Sequence, residues 1–117
     1  MPTDRTIDYI EFPARDLART KEFYSAAFGW TFQDYGPDYC AFNDGRLDGG
    51  FFRSELGSST TAGAALVVLY AGDLEELRAT VTAHGGSIVR DIFPFPGGRR
   101  FHFADPSGNE LAVWSDR

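Results

Sequence analysis

Residues 16–29 read DLARTKEFYSAAFG, and residues 73–86, which lie 57 positions further along the chain, read DLEELRATVTAHGG. Both stretches begin with an aspartate that can cap the first turn of a helix, and both end in a glycine that can terminate it. Between those limits apolar residues recur at helical spacing, which predicts an amphipathic helix in each stretch. A helix that returns at a fixed interval indicates an internal repeat.

Short runs of strand-forming residues surround both predicted helices in the same order, one before the helix and three after it. The runs that precede the helices are TIDYIEF, residues 6–12, and GAALVVLY, residues 63–70. In the first set, Asp44-Gly45 separates two runs and is typical of a two-residue hairpin turn. The chain is therefore predicted to be an α+β protein built from two tandem β-α-β-β-β modules.

Chain length and composition predict a single globular domain over residues 1–117. The sequence is 43% hydrophobic and 15% aromatic, which is enough apolar surface for one core. We place the first module at about residues 5–53 and the second at about 64–117. The stretch 54–63 is rich in Ser, Thr and Gly and has no periodicity, so it is predicted to be a linker or a mobile loop.

Charge and composition exclude several classes of partner. The net charge of −6 repels nucleic-acid phosphates and anionic membrane surfaces. No apolar run approaches the roughly 20 residues of a membrane span, and the N-terminus lacks the layout of a signal peptide. Cys40 is the single cysteine and is expected to be a buried, inert thiol. We therefore expect a cytoplasmic protein without nucleic-acid or membrane partners.

The predicted sheets leave one face of each module uncovered, because a single helix covers only the other face. Two such faces placed side by side would curve into a cup. The strand alternation assigns to the cup face Tyr9, Glu11, Leu66, Val68, Tyr70, Glu110, Ala112 and Trp114. An aromatic and aliphatic surface with a few carboxylates is typical of a small-molecule pocket. The stretch FPFPGGRR, residues 93–100, is either a loop over the cup mouth or a plain surface connection.

Three landmarks resemble the vicinal oxygen chelate superfamily, which includes glyoxalase I, bleomycin-resistance proteins and extradiol dioxygenases. They are IDYIEFPARDLARTKEFYSAAFGW at residues 7–30, the repeated module, and DPSGNELAVW at residues 105–114. The resemblance covers essentially the whole chain and implies a cupped mixed sheet. It does not select an activity, because the superfamily uses one scaffold for unlike functions.

The resemblance also implies where a metal would be held. Metal enzymes of the superfamily bind a divalent ion with four side chains, usually His, Glu or Gln. The matching positions of this chain, counted from the capping aspartates, the hairpin and the DPSG turn, are Tyr9, Gly49 or Gly50, Leu66 and Ala112. A divalent metal needs several oxygen or nitrogen ligands, and only the tyrosine offers one. We therefore predict no metal of the family type and no cofactor.

A few other polar residues are candidates for chemistry. His102 is either a general base or a half-exposed strand histidine. A carboxylate on the cup face needs a polar partner, so Glu11 either contacts a polar ligand or pairs only with an arginine such as Arg100. Asp48 either faces a ligand or belongs to the turn beside it. The doublet Gly49-Gly50 either lets a ligand or another backbone come close to the strand or marks a bulge.

The function that these observations favour is metal-free binding of a small organic molecule, as in bleomycin-resistance proteins. The acidic balance suits a cationic or polar aromatic ligand. The alternatives are a metal-dependent lyase or dioxygenase and a metal-independent acid-base enzyme that uses Tyr9, Glu11 or His102. The resemblance implies a homodimer. The residues expected to bind the ligand are Tyr9, Glu11, Asp48, Gly49, Leu66, Tyr70, Ala112 and Trp114.

Overall fold

The computed structural model describes residues 2–117, and within them the predicted unit occurs twice. In chain order the elements are β1 (Tyr9–Ala14), α1 (Leu17–Phe28), β2 (Thr31–Asp34), β3 (Tyr39–Asn43), β4 (Asp48–Arg53), a 3₁₀ helix (Thr60–Ala62), β5 (Val67–Tyr70), α2 (Leu74–Ala83), β6 (Ser87–Phe95), β7 (Gly98–Ala104) and β8 (Glu110–Ser115). The predicted α+β fold of two tandem modules is confirmed.

The strands form two four-stranded mixed sheets of identical topology. The first sheet has the order β1-β4-β3-β2, and the second has the order β5-β8-β7-β6. In each sheet the first and last strands of the module pair in parallel, and the remaining pairs are antiparallel. The first and last strands of a module are therefore neighbours, with the first strand at the edge.

Both helices begin at the predicted aspartates. The side chain of Asp16 accepts a hydrogen bond from the backbone N–H of Arg19 at 3.0 Å, and Asp73 accepts one from Glu76 at 3.0 Å. Helix α1 ends at Gly29, whose φ of +73° is the left-handed conformation that favours glycine. Local capping chemistry, which can be seen in the sequence, therefore determines where these helices begin.

The hairpin between β3 and β4 differs from the prediction. The last paired residues are Asn43 and Asp48, so the loop has four residues rather than two. Asp44 Oδ1 accepts from the backbone N–H groups of Arg46 and Leu47, and Asn43 Oδ1 accepts from that of Gly45. These side-chain bonds stabilise a wider turn, which is why the Asp-Gly pair does not form the tight one.

The stretch 93–100 belongs to a hairpin and is not a loop over a cup mouth. Strand β6 continues to Phe95, which pairs with Gly98, so only two residues form the turn. A side chain at Gly98 would place its Cβ 2.0 Å from the carbonyl oxygen of Ser115. This close approach of two backbones explains the glycine.

The predicted linker is attached to the second sheet. The backbone N–H of Glu110 donates to Ser58 O at 2.7 Å, and the N–H of Ser58 donates to Asn109 Oδ1 at 2.9 Å. Thr60 donates to the Glu110 side chain from both its backbone N–H and its hydroxyl group. The linker therefore covers the start of β8. The residue limits of the domain and of its two modules remain predictions.

The two sheets share one hydrophobic core, in which both helices lie. The ring of Phe23 on α1 lies 6.0 Å from that of Phe103 on β7, and Tyr24 on α1 donates to Asp105 at 2.8 Å. Because α1 contacts both sheets, their helix-covered sides face this common core, and their other sides face away from it. We call these outer sides the first open face, on β1 to β4, and the second open face, on β5 to β8. No helix in residues 2–117 is long and apolar enough to cross a membrane.

Candidate functional site

The first open face carries a cluster of phenols and one carboxylate. Tyr9 and Glu11 point outward from β1, and Tyr39 lies beside them from β3. The hydroxyl of Tyr39 donates to Glu11 Oε2 at 2.8 Å, so the hydrogen bond between the two phenols takes its proton from Tyr9. Burial and these hydrogen bonds raise the pKa of Tyr39, which therefore remains a protonated donor.

Gly50 provides the space that this cluster occupies. A Cβ atom at Gly50 would lie 2.0 Å from the hydroxyl oxygen of Tyr39 and 3.0 Å from that of Tyr9. Gly49, in contrast, belongs to the helix-covered side, where a Cβ would lie 2.3 Å from the buried ring of Phe42. Gly50 therefore lies on the open face, and Gly49 does not.

Gly50→Ala tests this packing. The added methyl group must displace Tyr39, so we expect a loss of about 1–3 kcal/mol in the free energy of unfolding measured with urea. Gly72→Ala is the matched control, because a Cβ there meets no atom within 4 Å. The control should stay within about 0.5 kcal/mol of the parent protein. Equal stabilities for the two variants would contradict the observed packing.

The second open face combines aromatic rings with basic side chains. From β5, β7 and β8 it carries Val68, Tyr70, Arg100, His102, Ala112 and Trp114. The ring centroid of Trp114 lies 5.1 Å from that of Tyr70 and 6.2 Å from that of Phe95. Trp114, Arg100 and Phe95 line a recess of about 380 Å³. Its size suits a small organic molecule.

A hydrogen-bonded series runs across the same face. Arg100 Nη2 lies 3.0 Å from His102 Nε2, and His102 Nδ1 lies 2.9 Å from Glu110 Oε2. The other oxygen of Glu110 accepts two bonds from Thr60, at 2.9 and 2.7 Å. Burial opposes ionisation of this carboxyl, but the bonds from His102 and Thr60 outweigh it, and the pKa of Glu110 is lowered.

Apart from Gly49, which lies on the helix-covered side, the predicted ligand-binding residues fall into two groups on opposite sides of the shared core. Tyr9 and Glu11 belong to the first open face, and Glu11 pairs with Tyr39 rather than with Arg100. Asp48, also on that face, accepts a hydrogen bond from the Asn43 amide at 2.9 Å. The second group consists of Tyr70, Ala112 and Trp114, with Leu66 partly buried just before β5. Within residues 2–117 no hydrogen bond, ion pair or aromatic contact joins the two open faces.

The four positions at which the resemblance implies metal ligands do not fit a metal ion. Ala112 is fully buried between its sheet partners Val68 and His102, and it has no donor atom. Gly50 and Leu66 have none either, and the phenol of Tyr9 is bonded to Tyr39. Nor do residues 2–117 contain any group of three His, Cys, Asp or Glu side chains arranged to hold an ion. The donor set is therefore too small for a divalent cation.

A second cavity, which the sequence did not reveal, lies between the edge strands β1 and β5. Its volume is about 460 Å³, and it is lined mainly by apolar residues, among them Ile10, Phe12, Trp30, Val67 and Leu69. Trp30 is almost fully buried and stacks on Tyr24 with a centroid distance of 4.4 Å. None of the predicted ligand-binding residues lines this cleft. Only the relative placement of the two sheets creates it, so no local pattern could have indicated it.

Comparison with protein families gives a match over nearly the whole chain. The family described as "Glyoxalase/Bleomycin resistance protein/Dioxygenase superfamily" matches residues 6–113. Among curated proteins, the anthracycline biosynthesis protein DauV of Streptomyces sp. (strain C5) is 29% identical over 124 aligned residues. The alignment covers 91% of this chain and 45% of DauV. The chain thus spans about half the length of the curated relatives it matches.

Solved structures share the fold at low sequence identity. A glyoxalase-related enzyme from Fulvimarina pelagi superposes with a TM-score of 0.79 at 17% identity, covering 95% of this chain and 88% of that one. A mutant of the fosfomycin resistance protein FosX from Listeria monocytogenes, solved with Mn(II) and 1S,2S-dihydroxypropylphosphonic acid, gives a TM-score of 0.80 at 14% identity. That match covers 96% of this chain and 90% of FosX. At these identities the similarity concerns the fold alone.

Proposed function

Because the chain belongs to the Glyoxalase/Bleomycin resistance protein/Dioxygenase superfamily, we propose that it binds a small organic molecule between an open face of one copy and an open face of another, without using a metal. The observation that carries this proposal is the second open face. There, Trp114, Phe95 and Arg100 line a recess of about 380 Å³, and the ring of Tyr70 packs edge-on against that of Trp114. Aromatic walls with a few polar groups are the usual composition of a small-molecule site.

Completing the cup requires a second copy of the chain. The two open faces are turned away from the shared core, so within one chain they cannot enclose a ligand. In a two-fold symmetric dimer, the first open face of one copy would lie against the second open face of the other. Several large side chains on these faces are exposed in the single chain, including Tyr9, Phe52, Val68 and Tyr70. A homodimer would bury them.

An aromatic ligand suits this cup best. Rings on both faces offer stacking surfaces, and the hydrogen-bonding groups on each face can orient a polar substituent. The relatives are named as anthracycline biosynthesis proteins, which supports the use of an anthraquinone as a first probe. Binding without turnover is the proposed role. The cytoplasmic location expected from the sequence remains a prediction.

Metal analysis tests the metal-free part of the proposal. A FosX structure with this fold contains Mn(II), but the positions at which the family resemblance implies metal ligands include Leu66 and Ala112, which cannot ligate. Untagged protein incubated with Ni, Zn, Mn or Fe(II) and passed through gel filtration should retain well under one equivalent of each metal. Retention of one equivalent would show that other residues form a metal site.

The position of the ligand can be tested through the two tryptophans. Trp114 lines the proposed site, whereas Trp30 lines the cleft between β1 and β5. In nitrogen-15 spectra, titration with 2-methoxyanthraquinone should shift the indole N–H signal of Trp114 and leave that of Trp30 in place. Trp30→Phe assigns the two signals. A shift confined to Trp30 would move the binding site to the cleft and overturn the proposal.

A further inference from the structure

His102 is held between a carboxylate and a guanidinium group on the second open face. Its Nδ1 lies 2.9 Å from Glu110 Oε2, and its Nε2 lies 3.0 Å from Arg100 Nη2. Glu110 is itself fixed by two hydrogen bonds from Thr60 and is 7% exposed. The imidazole therefore has a defined orientation, in which its Nε2 edge points toward Arg100.

These partners determine which ring nitrogen carries the proton. An ionised carboxylate can only accept a hydrogen bond, so His102 Nδ1 must carry a hydrogen and donate it to Glu110. A guanidinium group can only donate, so His102 Nε2 must present its lone pair to Arg100. The ring is thus held with its Nδ1–H toward the carboxylate and its Nε2 lone pair toward Arg100, which is the arrangement of a general base oriented by a carboxylate.

Arg100 has hydrogen-bonding capacity that the protein does not use. Among residues 2–117, its Nε is the one buried side-chain nitrogen or oxygen atom without a hydrogen-bond partner. Its guanidinium carbon lies 5.8 Å from the ring centroids of both Phe93 and Phe95, and it lines the recess beside Trp114. Burying an unpaired donor costs free energy, so a rotation of the Arg100 side chain that lets this donor reach a ligand oxygen would be favoured.

The charge near this recess differs from that of the whole chain. The net charge is −6, from which we expect a cationic or polar aromatic ligand. On the second open face, Arg100 is joined by Arg90, whose guanidinium carbon lies 3.6 Å above the ring of Phe93. The recess is also lined by Asp116, whose carboxylate accepts a hydrogen bond from Tyr70 at 2.6 Å. Two arginines among aromatic rings favour a ligand that combines an aromatic system with an oxyanion.

We infer that Arg100 and His102 form a subsite for the acidic hydroxyl group of an aromatic ligand, a phenol or an enol. This inference rests on the proposed function, because it names a substituent of the ligand bound there. On binding, the ligand O–H bond breaks, its proton moves to His102 Nε2, and the electron pair remains on the ligand oxygen. Arg100 turns from the imidazole to that oxyanion, and the imidazolium lies between the oxyanion and Glu110.

Two matched probes separate this inference from simple aromatic binding. 2-Hydroxyanthraquinone carries an ionisable hydroxyl group whose anion absorbs at longer wavelength, whereas 2-methoxyanthraquinone has the same rings and no ionisable group. The protein should bind both probes. At a pH below the pKa of the free 2-hydroxyanthraquinone hydroxyl group, the protein-bound probe should still show the long-wavelength absorption band of its anion.

Substitutions identify the groups responsible. His102→Gln keeps an amide that can bond to Glu110 but cannot accept the proton, so the anion band should disappear while 2-methoxyanthraquinone still binds. Arg100→Leu should weaken binding of the hydroxy probe about tenfold or more, because a charge-assisted hydrogen bond is lost. The methoxy probe should change by less than about threefold. Arg19→Leu, on the exposed side of α1, removes the same charge elsewhere and should alter neither affinity.

The outcomes are distinct. An anion band in the parent protein that is absent from His102→Gln supports the inference. Equal binding of both probes without the band would overturn it and leave the proposed function in place. Failure to bind either probe would count against the proposed function and against the inference that rests on it. Circular dichroism of each variant confirms that its fold is retained.

Discussion

Asp105→Ala is expected to lower the free energy of unfolding by roughly 3–5 kcal/mol, because it removes a buried acceptor on which several donors depend. The Asp105 side chain is 4% exposed and accepts four hydrogen bonds. The donors are the backbone N–H groups of Ser107 and Asn109, the Asn109 amide, and the Tyr24 hydroxyl, at 2.8 to 3.0 Å. Truncation would leave these buried donors without an acceptor.

The reason for the size of this effect is that Asp105 connects the two modules. Tyr24 belongs to α1 of the first module, and Asn109, which Asp105 fixes, also donates to Pro13 O at 2.7 Å. Burial raises the pKa of the Asp105 carboxyl, and the surrounding hydrogen bonds oppose that effect. The carboxylate is therefore stabilised in this position only by the bonds that converge on it.

Urea denaturation followed by circular dichroism measures the effect. Asp38→Ala is the control, because that aspartate is exposed and its nearest arginine nitrogen, on Arg53, lies 3.8 Å away. We expect the control to stay within about 0.5 kcal/mol of the parent protein. A loss below about 1 kcal/mol for Asp105→Ala would mean that this network does not hold the modules together.

Local chemistry made much of the fold predictable. The capping aspartates 16 and 73, the terminating Gly29 and the repeated order of strands each depend on residues close together in the sequence. For the same reason the DPSG turn could be recognised around Asp105. The bond from Asp105 to Tyr24, which is 81 positions away, depends on how the two modules pack. No periodicity or motif contains that information.

The candidate site was predictable only in part, because it depends on register between strands. Alternation alone placed Tyr9 and Glu11 on an outer face, but the partner of Glu11 is Tyr39, from a strand that pairs with β4 rather than β1. Likewise, the bond from Thr60 to Glu110 comes from a stretch without periodicity. The order of the two modules along the chain also does not determine how their sheets are oriented, so it could not predict that the open faces point in opposite directions.

The second large effect concerns ligand affinity. Tyr9→Ala and Trp114→Ala each remove an aromatic side chain from one open face, and each should weaken binding of 2-methoxyanthraquinone by about tenfold or more. Both side chains are partly accessible, so the variants should remain folded. Tyr35→Ala is the matched control, since that tyrosine is 64% exposed in the turn between β2 and β3.

Isothermal titration calorimetry provides the affinities. Loss of affinity in Trp114→Ala alone would limit the site to the second open face. If the cup is lined by both faces, both variants should lose affinity for 2-methoxyanthraquinone. Unchanged affinity in both would exclude the open faces as the binding surface.

The central claim is that each cup combines the first open face of one copy with the second open face of another. Its most direct test is calorimetric titration of 2-methoxyanthraquinone into Tyr9→Ala and Trp114→Ala chains that have been co-expressed and purified together. Mixed dimers would contain one cup with both aromatic residues intact. Random pairing predicts that about a quarter of the cups bind with the affinity of the parent protein, whereas neither variant alone forms any cup with both aromatic residues intact. A mixture that binds no more tightly than the two variants separately would contradict a cup shared between copies.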